Sequence, residues 1–236
     1  MKSLEEFSAI NVINLATRAD RRAEISLQLA LVGLSFDSPN VELFEAVRPT
    51  AADGFDSIGA RGCFMSHLGV LRRSEVLDNV LILEDDLDFV PNIEQQLRAA
   101  LASLPKNWGI FYGGCLTDLI PCGAPITQVP PHTSLQTSHF VAFNGPVIGA
   151  LVKYLEAILH RPPGHVDGGP MHVDGAYSRF RADHPEFQVF VATPELGYQR
   201  PSRTDIHALK WFDRTPLLKR IVEIIRRRRA VLKHNS

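Results

Sequence analysis

Val80-Leu81-Ile82-Leu83-Glu84-Asp85-Asp86-Leu87-Asp88-Phe89 passes from an unbroken apolar segment straight into four carboxylates within five residues. A strand without polar alternation is buried on both faces, as in the parallel sheets of α/β proteins. Such sheets bind ligands beyond the carboxyl ends of their strands, so the acids emerge on the ligand side. Crowded carboxylates raise one another's pKa unless a cation or solvent absorbs the charge. An all-oxygen cluster suits Mg²⁺ or Mn²⁺, which keep coordination positions for water and substrate phosphates. The competing reading of this segment is a solvated acidic turn after a core strand.

Upstream, Ala9 to Leu15 reads as a first strand and Arg18 to Val32 as a helix, with Thr17-x-x-Asp20 resembling a capping box and Gly33 a stop. Val41 to Val47 is a second strand. Cys63 to Leu77 carries apolar residues at helical spacing, giving β-α-β-α-β up to the acids. Downstream, Pro91 opens a helix to about Leu104, Trp108 to Tyr112 is a short strand closed by Gly113-Gly114, and residues 115–137 form a long loop. His139 to Phe143 and Phe187 to Val191 read as strands, and Gly149 to His160 as a helix. The expected fold is α/β: one Rossmann-like domain over residues 1–209 with a mostly parallel sheet, followed by a basic C-terminal helix in residues 210–236.

Composition agrees with one well-filled domain: 236 residues, 45% hydrophobic. Cys63, Cys115 and Cys122 are odd in number and lack zinc-finger spacing, which favours a reducing compartment. The first residues carry no long apolar run, and none elsewhere approaches membrane-spanning length. These features lead to an expected cytoplasmic location. Residues 210–236 hold nine Lys/Arg against two acids, for +7, leaving 16 basic and 24 acidic residues elsewhere, for −8. Leu217, Leu218, Ile221, Val222, Ile224 and Ile225 would share one half of a helix there. A basic amphipathic helix suits an anionic surface on the inner face of the cytoplasmic membrane, or docks on the domain with a solvated basic end. No aromatic residues interleave the arginines, so a nucleic-acid partner is not expected.

Three segments in order, Ile13-Asn14-Leu15 followed by Arg18, Asp20 and Arg22, then Gly62-Cys63-x-x-Ser66-His67, then Leu81 to Asp86, resemble glycosyltransferase family 25. These are lipopolysaccharide-type sugar transferases related to collagen galactosyltransferases. The resemblance covers roughly residues 9–90 and is weaker beyond. It implies a GT-A type fold, a nucleotide-sugar donor (a UDP-sugar expected), Mn²⁺ or Mg²⁺, and a hydroxyl of a surface glycan such as lipopolysaccharide or lipooligosaccharide as acceptor of a hexose. One departure is Ala60-Arg61 before Gly62-Cys63, where the family usually carries an acid.

Roles follow by position. Cleaving a sugar–phosphate bond leaves charge on a nucleoside diphosphate, which a cation held by Glu84 and Asp86 would stabilise. If the strand stays extended, 84 and 86 share a side and Asp85 faces the ribose or a basic side chain; Asp88 is either a further ligand or a solvated acid. Asn14, Leu15 and Arg18 sit at the first strand-to-helix turn, where base, ribose or phosphate contacts are made. Ser66 and His67 point about 100° apart on a helix and do not make a nucleophile pair; His67 orients the nucleotide or packs structurally. By resemblance, Asp174 faces the acceptor as the base of an inverting transfer, and by analogy with GT-A enzymes His207 is a third metal ligand. The repeated His165-Val166-Asp167 and His172-Val173-Asp174 read more naturally as turns than as a metal site. Rival readings are a phosphohydrolase using Asp86 and Asp88, and an inactive sugar-nucleotide or membrane-binding module.

Overall fold

The computed structural model describes residues 3–117 and 123–200. His207, Cys122 and the basic tail lie outside the described residues. The strands are β1 (Ala9–Asn14), β2 (Val41–Glu45), β3 (Asn79–Glu84), β4 (Leu87–Phe89), β5 (Trp108–Leu116), β6 (Ile126–Gln128), β7 (Gln136–Asn144), β8 (Gln188–Ala192) and β9 (Gly197–Gln199). The helices are α1 (Ala19–Ala30), α2 (Ile58–Arg73), α3 (Ile93–Ser103), α4 (Val147–Leu159) and α5 (Val173–Asp183).

Seven strands form one sheet in the order β2-β1-β3-β7-β5-β8-β6. β1 pairs in parallel with β2 and β3, and β5 with β8; β7 runs against both β3 and β5, and β6 against β8. Five strands therefore point one way, the mostly parallel α/β sheet expected. β4 and β9 make a separate two-stranded antiparallel ribbon.

The alternation of β3 sets the layers. Val80 and Ile82 pack with Phe64, Leu68, Leu151 and Phe180, from α2, α4 and α5. Leu81 and Leu83 pack on the other face with Ile25, Leu29, Leu97 and Leu101, from α1 and α3. All four β3 residues are fully buried, as an all-apolar strand between two helical layers requires. By the same alternation Glu84 follows Val80 and Ile82 toward α2, and Asp85 follows the odd positions toward α1.

Several local readings differ from the structure. Residues 115–137, expected as one loop, carry β6 and the start of β7, formed by pairing with β8 and β5. His172-Val173-Asp174, expected as a turn, is the N-cap and first turn of α5. Thr17 and Asp20 form no capping box: Arg18 holds the N-cap position without a side-chain cap, and its guanidinium takes Asp20 instead. α2 begins at Ile58, five residues before the expected start, because Ser57 accepts a hydrogen bond from the Ala60 amide and caps it. Gly113-Gly114 lies inside β5, not at its end. A Cβ at Gly114 would collide with the Gly197 carbonyl and the His139 ring, so the glycine lets β9 cross close over the sheet. Gly114→Ala should cost about 1–3 kcal/mol by overpacking, read as a fall in thermal midpoint; an unchanged midpoint would mean the two segments do not pack as described.

Candidate active site

The chain turns as it leaves β3. Residues 85 and 86 form a turn before β4, so the extended geometry that would align 84 with 86 does not persist. Asp86 instead lies with Asp85 beside Arg21, whose Nη1 is 2.8 Å from Asp85 Oδ1 and 3.2 Å from Asp86 Oδ2. Asn14 Nδ2 donates to Asp85 Oδ2 at 2.8 Å, and Gln199 Nε2 donates to Asp86 Oδ2 at 3.2 Å. Asp85 and Asp86 are both buried. Burial raises the Asp85 carboxyl despite the opposing pull of Arg21 and Asn14. Asp86 is pushed up to about 7, first by burial and then by the charge of Glu84.

Glu84 faces the opposite layer. Ser138 Oγ donates to its Oε1 at 2.9 Å, and His67 Nε2 lies 3.3 Å from the same oxygen. Burial would lift this carboxyl, but the His67 hydrogen bond and charge, with His139 and Ser138, outweigh it and hold Glu84 below its ordinary value. His67 is fully buried, and its Nδ1 lies 3.0 Å from the Tyr177 hydroxyl on α5. With Nε2 protonated the ring donates to Glu84 and accepts from Tyr177.

A cleft of about 400 Å³ opens over these groups, lined by Leu15, Arg18 and Arg21 on one side, Val47 and Pro49 on another, and His67 with all three consecutive acids below. Its volume falls in the range of small-molecule sites. It lies at the carboxyl ends of β1 and β3, where the sheet order moves outward in both directions.

Among the sequence candidates, Leu15, Arg18, Ser66, His67, Glu84, Asp85 and Asp86 all line this cleft. Asn14 does not; it stands behind Asp85 and bonds to the Arg18 carbonyl as well. Ser66 has its hydroxyl engaged within the fold, donating to the Gly62 carbonyl and accepting from the Val47 amide. Asp88 is neither a cleft ligand nor a solvated acid: Arg200 grips it through Nε and Nη2, and also pairs with Glu24. Asp174, in the first turn of α5, accepts hydrogen bonds from the Thr137 and Gly175 amides. It is outside the cleft lining, yet its charge reaches Cys63 within it.

His165 and His172 make separate local contacts, the first to the Asp167 amide and the second to Asp56, so the repeated segment gathers no ligand set among the described residues. Arg61, where the family carries its usual acid, pairs with Asp53 and donates to the Ala51 carbonyl.

The sequence reading missed Arg21, Gln199, Ser138 and Tyr177. Arg21 left a signal, because it occupies the apolar phase of α1 with Ile25 and Leu29 at i, i+4 and i+8 and is buried like them. A charge on the buried stripe of a helix needs a partner inside. Gln199, Ser138 and Tyr177 come from remote strands and a remote helix, and no local pattern marks them.

No protein-family profile matches this chain, and no curated protein matches it. Among solved structures it is similar to the apo crystal structure of mouse xyloside xylosyltransferase 1, with 12% identity over 75% of this chain and 82% of that one, at a TM-score of 0.41. It is also similar to a glycosyltransferase involved in the glycosylation of the major capsid of PBCV-1, with 13% identity over 78% and 93% of the two chains, at a TM-score of 0.36. Similarity at this level carries no weight for function, which rests on the residues of the cleft.

Proposed function

We propose that this chain is a glycosyltransferase that moves a sugar from a nucleoside-diphosphate donor, a UDP-sugar in the first instance, to a hydroxyl of a surface glycan with inversion. The observation that carries the reading is the set of three consecutive carboxylates gathered under one cleft. Arg21 pairs with both Asp85 and Asp86. The cleft wall so formed presents oxygen donors of the kind Mn²⁺ and Mg²⁺ take. Glu84 and Asp86, which reach the cleft from opposite sides of the turn, would both have to swing toward it to hold such a cation, which would supply Lewis-acid stabilisation of the departing diphosphate.

The chain's own residues account for the rest. Arg18 and Arg21 flank the acids and offer cationic contacts to phosphate oxygens. Leu15, Val47 and Pro49 give an apolar wall suited to the face of a nucleobase. Asn14 and Arg21 fix Asp85 in one orientation, which keeps the turn rigid while the donor binds. Asp174, oriented by two backbone amides, is the proposed base that takes the acceptor hydroxyl proton as it attacks the anomeric carbon.

Replacing Asp174 by Asn tests this assignment. Turnover should fall roughly 10²-fold with the donor KM unchanged, as for loss of a general base. If turnover persists and only the acceptor KM rises, the base lies elsewhere. The phosphohydrolase reading is weakened by Asp88, whose carboxylate is held by Arg200 and does not stand free beside Asp86 as a proton donor.

A further inference from the structure

We propose that Cys63, His67 and Glu84 form a second cation site, selective for a soft divalent metal of the Zn²⁺ class. The Cys63 sulfur, one ring nitrogen of His67 and a Glu84 oxygen all lie within 4.8 Å of one another. Ligands on a tetrahedral Zn²⁺ stand about 3.3–3.8 Å apart, given bond lengths of about 2.0–2.3 Å. The side chains must close in by an ångström or so. His67 Nε2 and Glu84 Oε1, at 3.3 Å, already meet that spacing. Cys63 and His67 are four residues apart on α2, so one helix face presents sulfur and nitrogen together.

The surroundings are those of a built ligand set. Ser138 bonds the Glu84 oxygen and Tyr177 bonds the far nitrogen of His67, as outer partners do around metal-bound imidazole and carboxylate. The Tyr177 hydroxyl both donates and accepts, so it serves the tautomer in which Nδ1 carries the proton and Nε2 is left for a metal. All three residues line the cleft, which leaves the fourth coordination position open to solvent or a small ligand. Burial, then the charges of Glu84 and Asp174, keep the Cys63 thiol protonated without a cation. Metal binding therefore releases that proton to solvent as the thiolate forms. A thiolate–imidazole–carboxylate set favours Zn²⁺ or Co²⁺ over Mg²⁺, unlike the all-oxygen pair Glu84 and Asp86. The two sites share Glu84, so Zn²⁺ would compete with Mn²⁺-supported donor binding; that consequence rests on the function proposed above, whereas the binding itself does not.

The test is to titrate metal-stripped, full-length protein with Co²⁺ in the absence of nucleotide. A near-ultraviolet thiolate-to-cobalt band should appear and saturate at one equivalent, and Zn²⁺ should erase it. Cys63→Ser should lose the band and bind Zn²⁺ at least about 100-fold more weakly, while Cys115→Ser and Asp86→Asn keep the band. Loss of the band in Asp86→Asn would make Asp86 part of the same ion's site and overturn a separate one. Retention of the band in Cys63→Ser, or its absence in cooperatively melting wild type, would overturn the proposal outright. Should Cys63→Ser fail to fold, X-ray absorption on Zn²⁺-loaded Cys115→Ser protein decides: one sulfur neighbour supports the site and an all-nitrogen-and-oxygen shell contradicts it. If no nucleotide binds yet the cobalt band stands, the glycosyltransferase reading fails and this one survives.

Discussion

Asp86→Asn should weaken Mn²⁺-dependent binding of a nucleoside diphosphate by about 10³-fold, since a cation in such a site supplies several kcal/mol of charge stabilisation. The same substitution should not lower the thermal midpoint of the metal-free protein. Asp86 is buried beside Glu84 and Asp85, and burial first, then the charge of Glu84, pushes its carboxyl up to about 7. A neutral amide of the same shape removes that repulsion and keeps an acceptor for Gln199. Loss of binding with stability held or gained marks a residue retained for function at a cost to the fold. Isothermal titration and a melting curve on the same preparation measure both. Unchanged affinity in Mn²⁺ would remove Asp86 from the cation site.

The second large effect is on stability. Arg21→Met keeps the length and apolar contacts of the side chain but leaves Asp85 and Asp86 without the guanidinium at 2.8 and 3.2 Å. Breaking a buried ion pair from one side typically costs about 3–5 kcal/mol, because the remaining charge is stranded in low dielectric. In a domain of this size that is a fall of roughly 10 °C in thermal midpoint. Adding Asp85→Asn to Arg21→Met should recover part of the loss, and the double-mutant cycle gives the coupling directly. A loss below about 1 kcal/mol for Arg21→Met would mean that the acids do not depend on it.

The first half of the fold was legible because its strands are uninterrupted apolar runs and its helices keep the 3.6-residue period. Val80 to Leu83 could be placed in the centre of a sheet from residue type alone, and the acids after it at the ligand edge. β4, β6 and β9 are three residues each, too short to carry a period, and they exist through pairing with distant segments. Gly113-Gly114 read as a strand end because glycine normally weakens strands; here close approach of β9 and of the Phe140 ring sets the residue type.

The site divides the same way. Glu84, Asp85 and Asp86 were visible as a cluster, but alternation holds only to Asp85, and the turn sends Asp86 toward Arg21. Asp88 read as either a further ligand or a solvated acid, and Arg200, 112 residues away, takes it instead. Cys63 and His67 read separately, as a thiol without zinc-finger spacing and as a histidine that orients the nucleotide or packs structurally. Their i, i+4 relation on a helix was present in the sequence; what it lacked was Glu84 arriving from β3.

The central claim, that the cleft over Glu84, Asp85 and Asp86 takes a metal-bound nucleotide sugar, is tested most directly by thermal shift across nucleotide sugars with and without Mn²⁺. A ligand that binds only the native state stabilises it by about 2.7 kcal/mol at a concentration 100-fold above its Kd. The account predicts an upward shift with one or more UDP-sugars that requires Mn²⁺ and disappears in Asp86→Asn. No shift with any nucleoside-diphosphate sugar in Mn²⁺ or Mg²⁺, or a shift that Asp86→Asn leaves intact, would contradict it.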